Sequence, residues 1–132
     1  MDNSSSAVII LSREKNAYYN LAVEKKLLNG FFNRPVLFLW QSKNAVIIGA
    51  HQNPFTECNL VAMQENQVQL ARRLSGGGAV YHDDGNLNFC FVNPKKHDKK
   101  INFEIVLSAL KGLKINADLT GRNDLVVNGF KI

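Results

Sequence analysis

Short apolar runs, set apart by polar or glycine-rich stretches, predict the strands of this chain. Each run is short enough for a single strand. The runs lie at 7–11, 36–40, 45–49, 68–74, 79–82, 87–92 and 125–127. Only four residues separate the second run from the third, and this short gap predicts a hairpin. Asn128 and Gly129 suit the two positive-φ positions of a type I′ turn, which predicts a further hairpin before 130–132.

Apolar residues at helical spacing predict two helices. Asn16 is expected to cap the first, which extends to about Leu28. The second covers about 102–113 and carries one apolar stripe. A shorter helix is predicted at 60–66, whereas Pro54 is expected to interrupt a loop. Strand pairs interrupted by helices indicate an α+β fold of mixed sheets packed with helices, without regular βαβ alternation.

The segment 72–83 (RRLSGGGAVYHD) is the most informative part of the sequence. Three consecutive glycines cost backbone entropy, which only a special conformation would offset. Without Cβ atoms, main-chain N–H groups can approach a ligand and form an anion-binding nest. Strand alternation sends Arg72 and Arg73 to opposite faces, so one of them can face a phosphate or carboxylate. The alternative is a flexible glycine hairpin with surface arginines.

Two familiar phosphate-binding loops do not match this segment. The Walker A spacing of glycine, four residues and Gly-Lys-Ser/Thr is absent from the sequence. The dinucleotide pattern fails because Tyr81 occupies the position of its third glycine. A strand, not a helix, is predicted to follow the loop. The chain is therefore expected to be neither a P-loop nor a Rossmann protein.

Composition places the chain among ordinary globular domains. Its 132 residues are 45% hydrophobic and 20% charged, which argues against disorder and fits a single domain. No apolar run approaches the roughly 18–20 residues of a membrane helix, so no membrane association is expected. The first residues lack the basic and apolar segments of a secretory signal. Two cysteines are too few for a disulfide scaffold, so a reducing, cytoplasmic compartment is expected.

The net charge of +5 is concentrated in one short stretch. Residues 95–100 hold four lysines and one aspartate, and they predict a solvated loop. No aromatic and basic signature of an RNA-binding strand accompanies them. Nucleic acid is therefore not an expected partner.

Other catalytic chemistries find little support in the sequence. His51, His82 and His97 lack the spacing of a zinc-binding helix, and no Gly-x-Ser-x-Gly elbow is present. Cys90 alternates within an apolar strand, which favours a core thiol over a nucleophile. Trp40 is expected to pack in the core or to form a wall for an apolar ligand. His82 is expected either to meet a ligand or to make a structural hydrogen bond.

Six sequence blocks are spread over nearly the whole chain. They are 20–24 (NLAVE), 36–40 (VLFLW), 51–59 (HQNPFTECN), 72–83 (RRLSGGGAVYHD), 85–88 (GNLN) and 121–132, which begins GRNDL and ends with Lys131-Ile132. Together they resemble the lipoate–protein ligase and lipoyltransferase family of the biotin/lipoate ligase superfamily. Six blocks in family order are far more specific than one glycine-rich loop.

The resemblance implies both a fold and a reaction. The fold would be like the catalytic fold of biotin protein ligases and class II aminoacyl-tRNA synthetases. ATP, with Mg²⁺ on its phosphates, and lipoate or octanoate would give lipoyl-AMP and pyrophosphate. The acyl group would then pass to a lysine of a lipoyl domain. Acceptors in the family are acyltransferase subunits of 2-oxoacid dehydrogenases and the glycine cleavage carrier protein.

The resemblance also implies roles for individual residues. Lys131 matches the family's essential lysine, which would contact the α-phosphate and the acyl carbonyl, and Asp124 could orient it. The positions matching the ATP and adenylate site are Arg73, Gly76, Gly77, Gly78, Ala79, Val80, Tyr81, Asn86, Asn123, Asp124 and Lys131. The positions matching the lipoate site are Leu21, Val23, Glu24, Trp40, Arg73, Ser75, Val80, His82 and Lys131.

The sequence departs from the family at its last residues. In the family a Ser/Gly-rich segment and further strands and helices follow the pair that matches Lys131 and Ile132. We therefore expect 1–132 to be the N-terminal portion of a lipoate ligase catalytic domain, completed by further chain or by a second polypeptide. Two other functions stay open: a lipoyl or octanoyl transferase that uses a preformed acyl donor, and a non-catalytic fragment that binds lipoate or a partner.

Overall fold

The computed structural model describes residues 6–30, 32–94, 99–121 and 124–132. The chain divides into two compact units, Met1–Pro94 and Lys95–Ile132. The first unit contains β1 (Val8–Leu11), α1 (Ala17–Leu28), β2 (Val36–Trp40), β3 (Ala45–Ile48), α2 (Pro54–Glu57), α3 (Leu60–Glu65), β4 (Gln69–Arg72), β5 (Val80–His82) and β6 (Asn88–Val92). The second contains α4 (Lys99–Gly112), β7 (Asp118–Thr120), β8 (Asp124–Val127) and β9 (Phe130–Lys131).

Two mixed three-stranded sheets form the first unit. In one sheet β2 lies between β1, to which it is parallel, and β6, to which it is antiparallel. In the other sheet β3 lies between the parallel β4 and the antiparallel β5. The α+β fold with mixed sheets is confirmed.

The hairpin predicted between β2 and β3 is wrong. The two strands belong to different sheets, so residues 41–44 connect the sheets instead of folding one strand back on the other. Asn44 adopts a positive φ of 51° in this connection. Its side-chain amide donates to the carbonyl oxygens of Asn66 and Gln67, which fixes the start of β3 beside the end of α3.

Helix α1 packs against both sheets. Asn16 caps it as predicted, because its side-chain oxygen accepts the main-chain N–H of Tyr19 at 3.0 Å. Leu21 packs against both core clusters. The larger cluster contains Leu27, Val36, Phe38, Trp40 and Val92, and the smaller contains Ala17, Ala45, Ile47 and Ala71. Small alanines in the second cluster let the first turn of α1 approach β3 and β4 closely.

Asn20, on the first half of α1, links three segments through a fully buried side chain. Its Oδ1 accepts the hydroxyl of Ser12 at 2.6 Å. Its Nδ2 donates to the carbonyl oxygens of Glu14 and Gln41, each at 2.9 Å. A buried amide side chain needs such partners because water cannot reach it.

Replacing Asn20 by alanine is expected to lower the free energy of unfolding by about 2–3 kcal/mol, since two carbonyl groups lose their buried donor. Urea unfolding followed by tryptophan fluorescence measures the change. Asn29→Ala, at the exposed end of α1, is the control and is expected to cost at most about 0.5 kcal/mol. Equal effects of the two substitutions would contradict the assignment.

The segment around Pro54 is helical, so the expected loop is wrong there. Pro54 occupies the first turn of α2, where its missing N–H costs nothing. The side chain of Asn53 accepts the N–H of Phe55 at 3.1 Å and caps this turn. Helix α3 follows the capping residue Asn59, as the sequence predicts.

The second unit contains a helix and a three-stranded antiparallel sheet of order β7-β8-β9. Helix α4 begins at Lys99, earlier than predicted, and β7 was not predicted. The hairpin between β8 and β9 is confirmed: Asn128 and Gly129 have φ angles of 51° and 83°. Most of the lysine-rich loop predicted at 95–100 lies outside the described residues. No helix in the described ranges is long and apolar enough to cross a lipid bilayer.

Candidate functional site

A cleft of about 450 Å³ lies in the first unit, lined by α1 and by strands of both sheets. Seven of the residues proposed from the sequence to contact lipoate line this cleft: Leu21, Glu24, Trp40, Arg73, Ser75, Val80 and His82. Val23, also proposed to contact lipoate, is not among the lining residues and packs against the larger core cluster. The size falls within the range of ordinary small-molecule sites.

Trp40 forms one wall of the cleft and contacts two of its polar residues. The indole is 3% exposed, and its Nε1–H donates to Glu24 Oε2 at 3.3 Å. Its ring lies against that of His82, with centroids 5.8 Å apart and planes inclined by 60°. Trp40 therefore has both of the roles considered from the sequence. Its side chain belongs to the larger core cluster and also lines the cleft.

Glu24 and Cys90 share the part of the cleft next to Trp40. Burial raises the pKa of the Glu24 carboxyl, and the hydrogen bond from Trp40 offsets part of that effect. Burial, together with the charge of Glu24, raises the pKa of the Cys90 thiol to about 11. The thiol is therefore protonated near neutral pH and is a poor nucleophile, in line with the interpretation of Cys90 as an inert thiol.

Cys90 is expected to be alkylated by iodoacetamide at about pH 8 more slowly than Cys58, because only about one thiol in a thousand is then ionised. Peptide mass spectrometry over a time course measures both rates. In Glu24→Gln the rate at Cys90 should rise, since the neighbouring charge is gone, while the rate at Cys58 should not change. Equal rates at the two cysteines in the unsubstituted protein would rule out this difference.

His82, at the end of β5, lines the cleft and carries a buried polar atom without a described partner. The residue is 5% exposed, and its Nδ1 has no hydrogen-bond partner among the described residues. Burial lowers the pKa of the imidazole, the charge of Arg73 lowers it further, and the charge of Asp83 opposes them. A neutral ring with an unused nitrogen can donate to a ligand or accept from one, depending on its tautomer.

The glycine-rich loop is braced by Arg73. Its guanidinium donates to the carbonyl oxygen of Gly76 from Nε and Nη2, and to that of Gly78 at 2.7 Å. Nη1 also donates to the carbonyl oxygen of Ile47 at 3.1 Å. A Cβ built on Gly76 or Gly78 would meet no described atom within 4 Å, so these glycines border open space. The loop is thus held from its carbonyl side and is open to a ligand elsewhere.

Arg72 has a different set of partners. Its Nη1 lies within hydrogen-bond distance of the carbonyl oxygens of Gly49, Ala50 and Gln52, at 2.9, 3.2 and 2.7 Å. The two neighbouring arginines therefore organise two separate loops, one each. Arg73 is the member of the pair that contacts the glycine-rich loop.

The remaining proposed nucleotide contacts surround β5 and the turn after it. Ala79 and Tyr81 are exposed, and the Tyr81 hydroxyl donates to Asn44 Oδ1 at 3.0 Å. Asn86, in the turn before β6, has a buried Oδ1 without a partner among the described residues. Of these residues only Val80 lines the cleft described above.

In the second unit Lys131 and Asp124 form an ion pair. Lys131 Nζ lies 2.8 Å from Asp124 Oδ1, across the β8–β9 hairpin. The N–H of Ile132 donates to the carbonyl oxygen of Leu125 at 3.0 Å and extends this pairing. Asn123, the other member of the proposed pair beside the adenylate, lies outside the described residues.

The described residues contain no group of three or more histidine, cysteine or acidic side chains that could hold a metal ion. Both cysteines are free thiols.

A family model for the lipoyl protein ligase A/B catalytic domain matches residues 16–132. This range includes all the proposed site residues in both units. The chain belongs to the lipoyl protein ligase A/B catalytic-domain family. The resemblance identified from the six sequence blocks is thereby confirmed.

Curated relatives extend well beyond the matched region. The chain is 48% identical over 126 residues to the lipoate-protein ligase A of Psychrobacter cryohalolentis and 42% identical over 122 residues to that of Blochmanniella floridana. These matches cover 94% and 91% of this chain but 37% and 36% of the relatives. The chain thus spans somewhat more than a third of the length of these lipoate-protein ligases.

Solved structures of the family share the fold. P. falciparum LipL1 in complex with lipoate superimposes with a TM-score of 0.89 at 40% identity, over 96% of this chain and 42% of that one. A bi-partite lipoate protein ligase of Thermoplasma acidophilum, described with its E2 lipoyl domain, gives 0.85 at 28% identity, over 96% and 52%. A lipoate-protein ligase A bound with ATP gives 0.81 at 28% identity, over 97% and 58%.

Five residues that line the cleft were not assigned to a ligand site in the sequence analysis. They are Ile47, Leu87, Asn88, Phe89 and Cys90. Leu87 immediately precedes β6, and Asn88, Phe89 and Cys90 are its first three residues. Strand β6 pairs with β2, where Asn88 lies opposite Trp40, 48 residues earlier in the chain. A polar Asn88 at the head of an otherwise apolar strand was the available signal.

Proposed function

We propose that the protein containing this chain activates lipoate or octanoate with ATP and transfers the acyl group to a lysine of a lipoyl domain. The observation that carries the proposal is the cleft, which is lined by Trp40 and by Arg73, the residue that braces the glycine-rich loop. Similarity to ligases solved with lipoate and with ATP supports both substrates.

The cleft suits a ligand that has an apolar tail and one carboxylate. Leu21, Trp40, Ile47, Val80 and Phe89 supply apolar surface for the tail. Burying such a tail is favourable by about 0.8 kcal/mol per methylene group. The Glu24 carboxylate would repel a second acidic group placed among these residues, so a monocarboxylate is favoured over a dicarboxylate.

In the first step a carboxylate oxygen of the ligand attacks the α-phosphorus, and the bond to the pyrophosphate leaving group breaks. Negative charge on the phosphoryl oxygens rises during this step, so donors and cations already in position lower the barrier. We assign this role to Lys131, with Asp124 orienting its ammonium group at 2.8 Å. Main-chain groups of residues 76–81, with Arg73, Asn86, Asn123 and Asp124, would line the nucleotide site.

In the second step the acceptor lysine, as a free amine, attacks the acyl carbonyl and AMP leaves. The negative charge that forms on the carbonyl oxygen needs a donor, and Lys131 would supply it again. We assign His82 to the lipoate site, because its ring lines the cleft and its Nδ1 has no partner among the described residues.

Magnesium would accompany ATP and supply charge neutralisation at the phosphates. Because the described residues hold no three-member acidic cluster, we expect the phosphates and water to provide most of its ligands. The free thiols fit a reducing compartment, so we place the reaction in the cytoplasm.

The proposed acceptors are lipoyl domains of 2-oxoacid dehydrogenase acyltransferase subunits and the glycine cleavage carrier protein. Similarity to a bi-partite ligase described with its E2 lipoyl domain supports this class of partner. The same similarity supports a second polypeptide, or a further segment of chain, as part of the complete catalytic domain.

Incubation of the purified protein with lipoate, Mg·ATP and an apo lipoyl domain tests the proposal. The expected result is a lipoyl gain in acceptor mass that requires ATP. Lipoate-dependent exchange of pyrophosphate into ATP isolates the first step. Acyl transfer from a preformed donor without exchange would identify a transferase, and the absence of both activities in folded protein would overturn the proposal.

A further inference from the structure

An exposed network of charged and amide groups ties the turn at 83–86 to two other loops. Lys15 Nζ lies 3.4 Å from Asp84 Oδ1, and Lys43 Nζ lies 3.9 Å from Asp84 Oδ2. Gln41 donates from Nε2 to the carbonyl oxygen of Asp84 at 3.0 Å and accepts from Lys15 Nζ at 2.5 Å. We call Lys15, Gln41, Lys43 and Asp84 the Asp84 network.

The Asp84 network lies where the chain passes between the two sheets. In the first unit the chain crosses from one sheet to the other twice, between β2 and β3 and between β5 and β6. Gln41 and Lys43 belong to the first crossing and Asp84 to the second. Lys15 lies in the loop before α1 and connects this loop to the network. The carbonyl oxygen of Lys15 also accepts the N–H of Lys43 at 3.1 Å. The network therefore joins both crossings to each other.

Cleft residues flank the turn on both sides. His82 precedes it at the end of β5, and Leu87 and then Asn88, the first residue of β6, follow it. Within the turn, Asp83 Oδ1 accepts the N–H of Gly85 at 2.8 Å, so the turn has its own internal support. A displacement of the turn would move the two strands relative to each other and change the width of the cleft.

We propose that Asp84 is a positioning residue: through Lys15 and Lys43 it fixes the 83–86 turn and so the spacing of β5 and β6 across the cleft. The identity of the ligand rests on the proposed function, whereas the geometric part of the inference does not. Ligand affinity consequently depends on ionic strength.

The expected effect is modest because the network is exposed. The side chains of Lys15, Lys43 and Asp84 are 45%, 70% and 59% exposed. Exposed ion pairs each contribute at most about 1 kcal/mol, and salt screens them. Mid-range pairs, well below that limit, correspond together to a change in affinity of about three- to tenfold.

Asp84→Asn is the informative variant, because it removes the charge and keeps the shape and the main-chain carbonyl bonded to Gln41. Asp84→Glu restores the charge, and Glu65→Gln, on the exposed face of α3, is the matched control for loss of one acidic group. Two measurements are made on each protein at about 50 mM and about 500 mM salt, which differ strongly in screening. One is calorimetric affinity for lipoate, and the other is acrylamide quenching of Trp40, the only tryptophan of the chain.

At low salt we expect Asp84→Asn to bind lipoate about three- to tenfold more weakly than the unsubstituted protein and to show stronger quenching of Trp40. High salt should largely remove the difference between the two proteins, because screening weakens the ion pairs that only the unsubstituted protein has. Asp84→Glu should restore most of the affinity, and Glu65→Gln should behave as the unsubstituted protein.

Unchanged quenching and affinity in Asp84→Asn would overturn the inference, as would a salt dependence equal to that of the unsubstituted protein. If the unsubstituted protein binds no lipoate, the proposed function fails, and the Trp40 quenching alone decides the role of Asp84. An unfolding midpoint measured on each variant separates a change in the cleft from a loss of folded protein.

Discussion

Lys131→Ala is expected to lower the rate of lipoyl transfer by about 100- to 1,000-fold, the usual cost of losing one donor aimed at developing charge. The ammonium is proposed to act in both steps, so both should slow: pyrophosphate exchange in the first, and transfer from preformed lipoyl-AMP in the second. The ion pair with Asp124 at 2.8 Å restricts where the ammonium can lie. Steady-state rates and the two partial reactions, measured on the same preparations, test this.

Matched substitutions separate catalysis by Lys131 from general effects of charge. Lys111→Ala removes an exposed lysine from the last turn of α4 and should leave both partial reactions unchanged. Asp124→Asn keeps the ammonium but loosens its orientation, so its effect should be smaller than that of Lys131→Ala. A loss below about tenfold for Lys131→Ala would refute the proposed role, because a central donor contributes well above that.

Local signals in the sequence predicted individual elements well. The capping side chain of Asn16 and the apolar spacing behind it locate α1, and its observed end at Leu28 agrees with that prediction. The Asn128-Gly129 pair predicts its hairpin because few other residue pairs adopt two positive φ angles in succession. Both features depend on interactions between residues that are close in the sequence.

Pairing between distant segments was not predictable from the same signals. The runs at β2 and β3 are equally apolar, and nothing within them indicates that they enter different sheets. Their separation depends on the approach of β6 to β2 and of β4 to β3, which local periodicity does not encode. The cleft lies between these partners, so Phe89 and Cys90 could not be assigned to it from sequence.

The arginine pair illustrates the same limit for side chains. Strand alternation predicts that Arg72 and Arg73 point to opposite faces, and they do serve different loops. It does not predict that Arg73 binds main-chain carbonyl oxygens of the loop, because those oxygens converge only after the loop has folded. Arg73 therefore shapes the glycine-rich loop as well as bordering the cleft.

Gly49→Ala is expected to disturb this loop more than any substitution of an open loop glycine. A Cβ on Gly49 would lie 2.2 Å from the carbonyl oxygen of Gly77 and 3.2 Å from the carbonyl carbon of Gly76. Both neighbours are main-chain atoms, so relief requires the loop to move. Overpacking of this kind costs about 1–3 kcal/mol. Displacement of the loop from the Arg73 guanidinium should weaken lipoate and ATP binding by about ten- to a hundredfold.

Gly76→Ala is the discriminating comparison, since its Cβ would meet no described atom within 4 Å. It should leave Trp40 quenching and the unfolding midpoint of the free protein unchanged and affect only ligand binding, whereas Gly49→Ala should change all three. Gly112→Ala, at the end of α4, controls for adding a methyl group where space is open. If Gly49→Ala binds both ligands as tightly as Gly112→Ala does, contact between Gly49 and the loop does not set the shape of the site.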